Sequence, residues 1–149
     1  VQLALAIKQA KKVYVIGNGG SAANAMHIIN DLLACGIKAY TLDMATLTAS
    51  ANDHGYETVF SRWIGIVGEP DDLLIALSGS GNSVNILKAL VTAKALGMKT
   101  WAICGNMNPV GKAIALADNR IVKGASMQAA EEAQLAVGHE VMRWLKRNS

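Results

Sequence analysis

The chain has 149 residues, enough for one domain with a single sizeable core. Apolar residues make up 52% and charged residues 17%, which excludes a disordered chain, and the net charge of +3 is too scattered to form the basic stripe of a nucleic-acid binder. No apolar run reaches transmembrane length and no signal-peptide pattern is present, so a cytoplasmic protein is expected, with no membrane and no nucleic acid as direct partner.

The opening stretch VQLALAIKQAKK reads as the end of a helix already under way at Val1. A further N-terminal helical segment is therefore expected before it, and residues 1–149 are expected to form one domain. Short apolar runs then recur at 13–16, 39–42, 73–77, 100–104 and 120–122, each followed by a turn and a stretch of helical periodicity. Continuous apolar runs suit strands buried on both faces, and strands alternating with helices imply a parallel sheet covered on both sides. The expected fold is a doubly wound α/β/α sandwich around a five-stranded parallel sheet, closed by a long helix over about 127–146. Pro70 and Pro109 both fall in polar connections. Cys35 and Cys104 are far apart in apolar surroundings and read as two buried free thiols.

Ligands of such sheets bind beyond the carboxyl ends of the strands, and two loops fall there. The first, Gly17-Asn18-Gly19-Gly20-Ser21-Ala22, fits G-x-G-x-x-A, the dinucleotide fingerprint, with Asp43 ending the second strand where a ribose would be held. Its plain alternative is a tight strand–helix turn without a ligand. A Walker loop is excluded, because no Lys-Ser or Lys-Thr follows the glycines.

The second loop, SGSGNS at 78–83, weighs against the dinucleotide. Ser78, Ser80 and Ser83 offer hydroxyls, Asn82 an amide, and the next helix start offers free N–H groups. One serine suffices for a helix cap; three in six residues suit a phosphate monoester. Two hydroxyl-rich loops at adjacent strand ends point to one small phosphorylated ligand gripped from both sides.

The stretches GNGGSAANAMH, LTASANDHGYETVFSRW, DDLLIALSGSGNSVNILKALVTAKALGMKT and VGHEVM, in that order, resemble the SIS (sugar isomerase) domain family, and most closely its phosphoheptose isomerase branch. That branch converts sedoheptulose 7-phosphate to a manno-heptose 7-phosphate in heptose biosynthesis, as a homotetramer. The resemblance implies that Ser78, Ser80 and Ser83 hold the sugar phosphate and that Asn82 shapes the loop. It places Asn18, Gly19, Ser21 and Asp53 against the sugar. It puts metal and acid–base roles on His27, Asp31, Glu131 and His139, with zinc as the metal and no nucleotide cofactor.

The residues themselves allow this chemistry. His27 and Asp31, four apart, share a helix face with Asn24, while Met26, Ile29 and Leu33 point elsewhere. Glu131 and His139, eight apart, share another face with Leu135, and a charge on such a mixed, partly buried face needs a partner. Two imidazoles and two carboxylates make a reasonable zinc set, or the acid and base of an aldose–ketose isomerisation. His139 is the expected acid–base partner, with Asp31 or Glu131 as the other.

The chain also departs from the family pattern. Asp31 stands where Glu is usual, Glu131 where Gln is usual, Cys35 where an Arg is usual and Gly79 where Thr is common. The alternative reading is a SIS domain that binds phosphosugars without catalysis, as relatives associated with the replication initiator do. Retention of both His27 and His139 favours the isomerase.

Overall fold

A computed structural model describes residues 1–107 and 109–149. Five strands, β1 (Val13–Ile16), β2 (Ala39–Tyr40), β3 (Leu73–Ser78), β4 (Lys99–Cys104) and β5 (Asn119–Val122), form one parallel sheet in the order β2-β1-β3-β4-β5. Four of the five apolar runs lie where the sequence puts them to within a residue, and the long C-terminal helix, α7, spans Met127–Arg147. β2 is shorter than expected: as an edge strand it pairs only Ala39 with Val13 and Tyr40 with Tyr14. After β4 there is no full crossover helix among the described residues, only the one-turn α6 (Ala113–Leu116).

Alternation along the central strands divides the core in two. Val13, Val15, Leu73, Ile75, Leu77, Trp101 and Ile103 face α1 (Gln2–Gln9), α2 (Gly20–Ala34) and α7. Tyr14, Ile16, Leu74, Ala76, Ala102 and Cys104 face α4 (Val59–Val67), α5 (Val84–Ala95) and α6. Every residue of β1 and β3 is buried, as a strand covered on both faces requires, whereas the edge strand β5 is not. On the α4 side, α3 (Met44–His54) joins β2 to that layer.

The chain leaves β1 toward β2 on one side and returns to β3 on the other. The crevice between the ends of β1 and β3 is thus the topological switch point, where such sheets take their ligands. Both glycine-rich loops open there. Gly19, with φ of 55°, makes the sharp entry into α2 in a backbone region that few other residues tolerate.

α2 and α7 lie side by side in parallel. Contacts climb both helices together: Gly20 meets Glu131, Asn24 bonds the carbonyl of Glu131, Ile28 meets Gly138, and Cys35 meets the carbonyl of Met142. This pairing brings polar side chains of the two helices together.

Candidate active site

The switch-point pocket is a cavity of about 130 Å³ bounded by Asn18, Ser21, Ser78, Ser80, Ser83 and Glu131, among others. The serines of the second loop divide their work. Ser78 is buried and accepts from the Gly81 amide at 3.0 Å, and Ser80 accepts from the Asn82 amide at 3.1 Å. Asn82 accepts from the Lys112 amide at 3.0 Å, so it shapes the loop rather than facing a ligand. Ser83 is the N-cap residue of α5, yet its side chain makes no cap bond. Behind the loop, burial pushes the Cys104 thiol up to about 11, so it stays uncharged there.

The first loop is held by a polar network that the sequence reading did not anticipate. Asn18 and Asn85 exchange two amide bonds of 2.9 Å, and the Tyr56 hydroxyl also donates to Asn18. Asn18 is therefore tied to α5 and to the turn at Tyr56–Thr58, and it anchors the loop. Gln134, fully buried on α7, donates to Ser21 Oγ at 3.1 Å and accepts from Asn24 at 3.0 Å. A lone Gln within the apolar stripe Ala130–Val137–Val141–Leu145 was the signal for that role.

Roughly two helical turns further along, His27, Asp31 and His139 converge. The two Nε2 atoms are 3.1 Å apart, and Asp31 Oδ2 lies 3.4 Å from that of His27 and 3.8 Å from that of His139. Asp31 Oδ2 is buried and has no hydrogen-bond partner. An orphaned carboxylate oxygen facing two imidazoles calls for a cation or a proton. Ligand atoms around a tetrahedral zinc, with bonds of about 2.0–2.1 Å, stand about 3.3–3.4 Å apart. The three donors fit that spacing. The shorter Asp31 reaches because Gly138 lets Ile28, and α2 with it, approach α7 closely.

A family model described as SIS domain matches residues 2–105. The chain belongs to the SIS domain family. It is 39% identical to the phosphoheptose isomerase of Akkermansia muciniphila over 149 residues, covering 95% of this chain and 78% of that protein. To the phosphoheptose isomerase of Chlorobaculum parvum it is 40% identical, covering 94% of this chain and 72% of the relative. Among solved structures, the phosphoheptose isomerase of Neisseria gonorrhoeae superposes with a TM-score of 0.87 at 27% identity, covering 97% of this chain and 81% of that one. The Francisella tularensis enzyme gives 0.87 at 28% identity, covering 98% and 83%.

Within this SIS domain some expected site residues fall elsewhere. Glu131 does not join the histidine cluster: eight residues of helix carry it about 12 Å along α7 from His139, to the pocket. Its carboxylate lies against Gly20, where a Cβ would meet Oε1 and Oε2 at 2.5 Å. Asp53 lines a different groove, beside Arg62 and Trp63, and accepts from Asn52 at 3.2 Å. Met26 and Leu33 are exposed on α2 and only Ile29 of that trio is buried. Cys35 is half-buried, its thiol directed at the Met142 carbonyl 3.9 Å away, and only Cys104 is fully buried. Asp43, the residue that would have held a ribose, caps α3, accepting from the Thr46 amide at 2.9 Å and its hydroxyl at 2.8 Å. No helix among the described residues is long and apolar enough to cross a membrane.

Proposed function

We propose that this SIS domain is a sugar-phosphate isomerase that interconverts sedoheptulose 7-phosphate and D-glycero-D-manno-heptose 7-phosphate. The reading rests on a two-ended site, with a serine-lined pocket at one end and the His27–Asp31–His139 cluster about two helical turns away. A seven-carbon chain with bonds of about 1.5 Å, fully extended, spans roughly 9 Å from C1 to its phosphate. That length suits a phosphate in the pocket and C1–C2 at the cluster. The relatives' name, phosphoheptose isomerase, supports a heptose phosphate as the substrate class.

The chemistry follows from the residues. The Ser83 hydroxyl and the α5 and α2 N-termini bind the phosphate. The Asp31 carboxylate takes the C1 proton of the open-chain ketose while the His139 imidazolium gives its Nε2 proton to O2, producing the 1,2-enediol. The carboxylic acid of Asp31 then returns its proton to C2, and His139 takes the O1 proton, leaving the aldose carbonyl. Each acid or base step of this kind contributes about 10²–10⁴ in rate. His27, Asp31 and His139 would hold a zinc ion as an alternative to this proton: a His139 Nε2 that ligates the metal carries no proton, and the ion would then supply Lewis-acid polarisation of the sugar oxygens in its place. Met26 and Leu33, exposed beside His27, give α2 a face for a second copy, in keeping with a homotetramer.

The test is turnover. His139→Ala should lose at least a hundredfold in kcat while still binding sedoheptulose 7-phosphate, and Asp31→Asn should weaken zinc binding tenfold or more by calorimetry. No turnover by the unmodified chain, with or without zinc, refutes the proposal.

A further inference from the structure

Gly79 lies between two of the phosphate-loop serines, and a side chain from another element sits over it. A Cβ built at Gly79 would come 2.2 Å from Met127 Sδ and 3.1 Å from Met127 Cε. The thioether therefore fills the space that a residue 79 side chain would take. Met127 is the first residue of α7 and lines the pocket with Ser78, Ser80, Ser83 and Glu131, one helical turn further on. The cavity of about 130 Å³ is the share of liquid volume of roughly four waters, enough for a phosphate group and little beside it.

We propose that Met127 sets substrate specificity by forming the wall that admits a phosphate ester of a primary alcohol and turns away one borne on a branched carbon. This rests on the reading that the serine loop holds a sugar phosphate. The Met127 thioether packs directly on the Gly79 backbone, and a –CH₂–O–phosphate arm is narrow enough to run alongside it into the pocket. A secondary ester carries a second carbon at that point, and this carbon meets Sδ or Cε. Met127 is 40% exposed, so a clash with one methylene-sized group there discriminates toward the lower end of roughly 10–200-fold.

Two isomers isolate the effect: glycerol 3-phosphate, a primary ester, and glycerol 2-phosphate, a secondary one. The unmodified chain should bind the first at least tenfold more tightly by calorimetry, and Met127→Leu, which keeps the bulk, should preserve that ratio. Met127→Ala removes three heavy atoms and should bring the ratio within about threefold by gaining affinity for glycerol 2-phosphate. An undiminished ratio in Met127→Ala, or equal binding of both esters by the unmodified chain, overturns the role of Met127 and leaves the isomerase reading standing. If the unmodified chain binds neither ester nor phosphate, the phosphate reading itself fails, and the proposal with it.

Discussion

Gly138→Ala tests the close packing of α2 on α7 that brings the histidines together. A Cβ at position 138 would stand 2.6 Å from Ile28 Cγ1 and 3.2 Å from Ile28 Cδ1. Carbon atoms prefer about 3.5–4.0 Å, so the helices must part by roughly 1 Å or Ile28 must leave its rotamer. Ile28 is β-branched and buried, which makes the second escape costly. Overpacking of this kind costs about 1–3 kcal/mol. Replacing a mid-helix Gly by Ala returns about 1 kcal/mol. The net expectation is a loss of about 0–2 kcal/mol in urea unfolding. The larger effect is on the site, because residues 27 and 139 directly adjoin the wedge. The Nε2–Nε2 separation of 3.1 Å should widen, with zinc affinity falling at least tenfold. Turnover should fall by on the order of a hundredfold, the scale of a 1 Å misplacement. A variant more stable by about 1 kcal/mol, with unchanged zinc affinity, would refute the claim that Gly138 sets the helix spacing.

Ser83→Ala should weaken sugar-phosphate binding without changing the urea midpoint, because the Ser83 hydroxyl caps nothing. Ser78→Ala should instead destabilise the fold by about 1 kcal/mol, since it strips the buried Gly81 amide of its acceptor; equal behaviour of the two variants would remove the division of labour between the serines. Asp43 carries a carboxyl held below its ordinary value of 3.8 by the Thr46 amide and hydroxyl. Its cap therefore contributes stability fully above that value, and the contribution is lost as pH falls through the depressed one. Asp43→Ala should lower the melting temperature at pH 7, with the difference from the unmodified chain shrinking in strong acid; a constant difference would contradict the cap. Iodoacetamide at pH 8 should modify half-buried Cys35 and spare Cys104, whose thiol is pushed up to about 11, until the protein unfolds; rapid native labelling of Cys104 would show that the loop opens.

Much of this molecule is legible along the chain. β1, and β3 up to Ser78, are apolar without interruption because helices cover both faces, and β4 is so from Trp101 onward; that burial writes itself directly into composition. Edge strands carry less of it, so β2 ends early at Tyr40. The spacing of His27 and Asp31 on one helix was equally plain, since an i,i+4 pair needs only helical geometry.

What a one-dimensional pattern leaves open is where two helices touch. Glu131 and His139 share a face, but only the parallel docking of α2 on α7 sends the first to the pocket and the second to the cluster. The same docking uses buried Gln134 to hold Ser21, and lets Asp31 reach His139 across the gap that Gly138 keeps small. The sequence by itself determined the fold class, the two glycine-rich loops at the strand ends and the helical faces, because each follows from local periodicity or a short motif. The tertiary structure decided which of those residues act together, because that depends on contacts between segments more than a hundred residues apart.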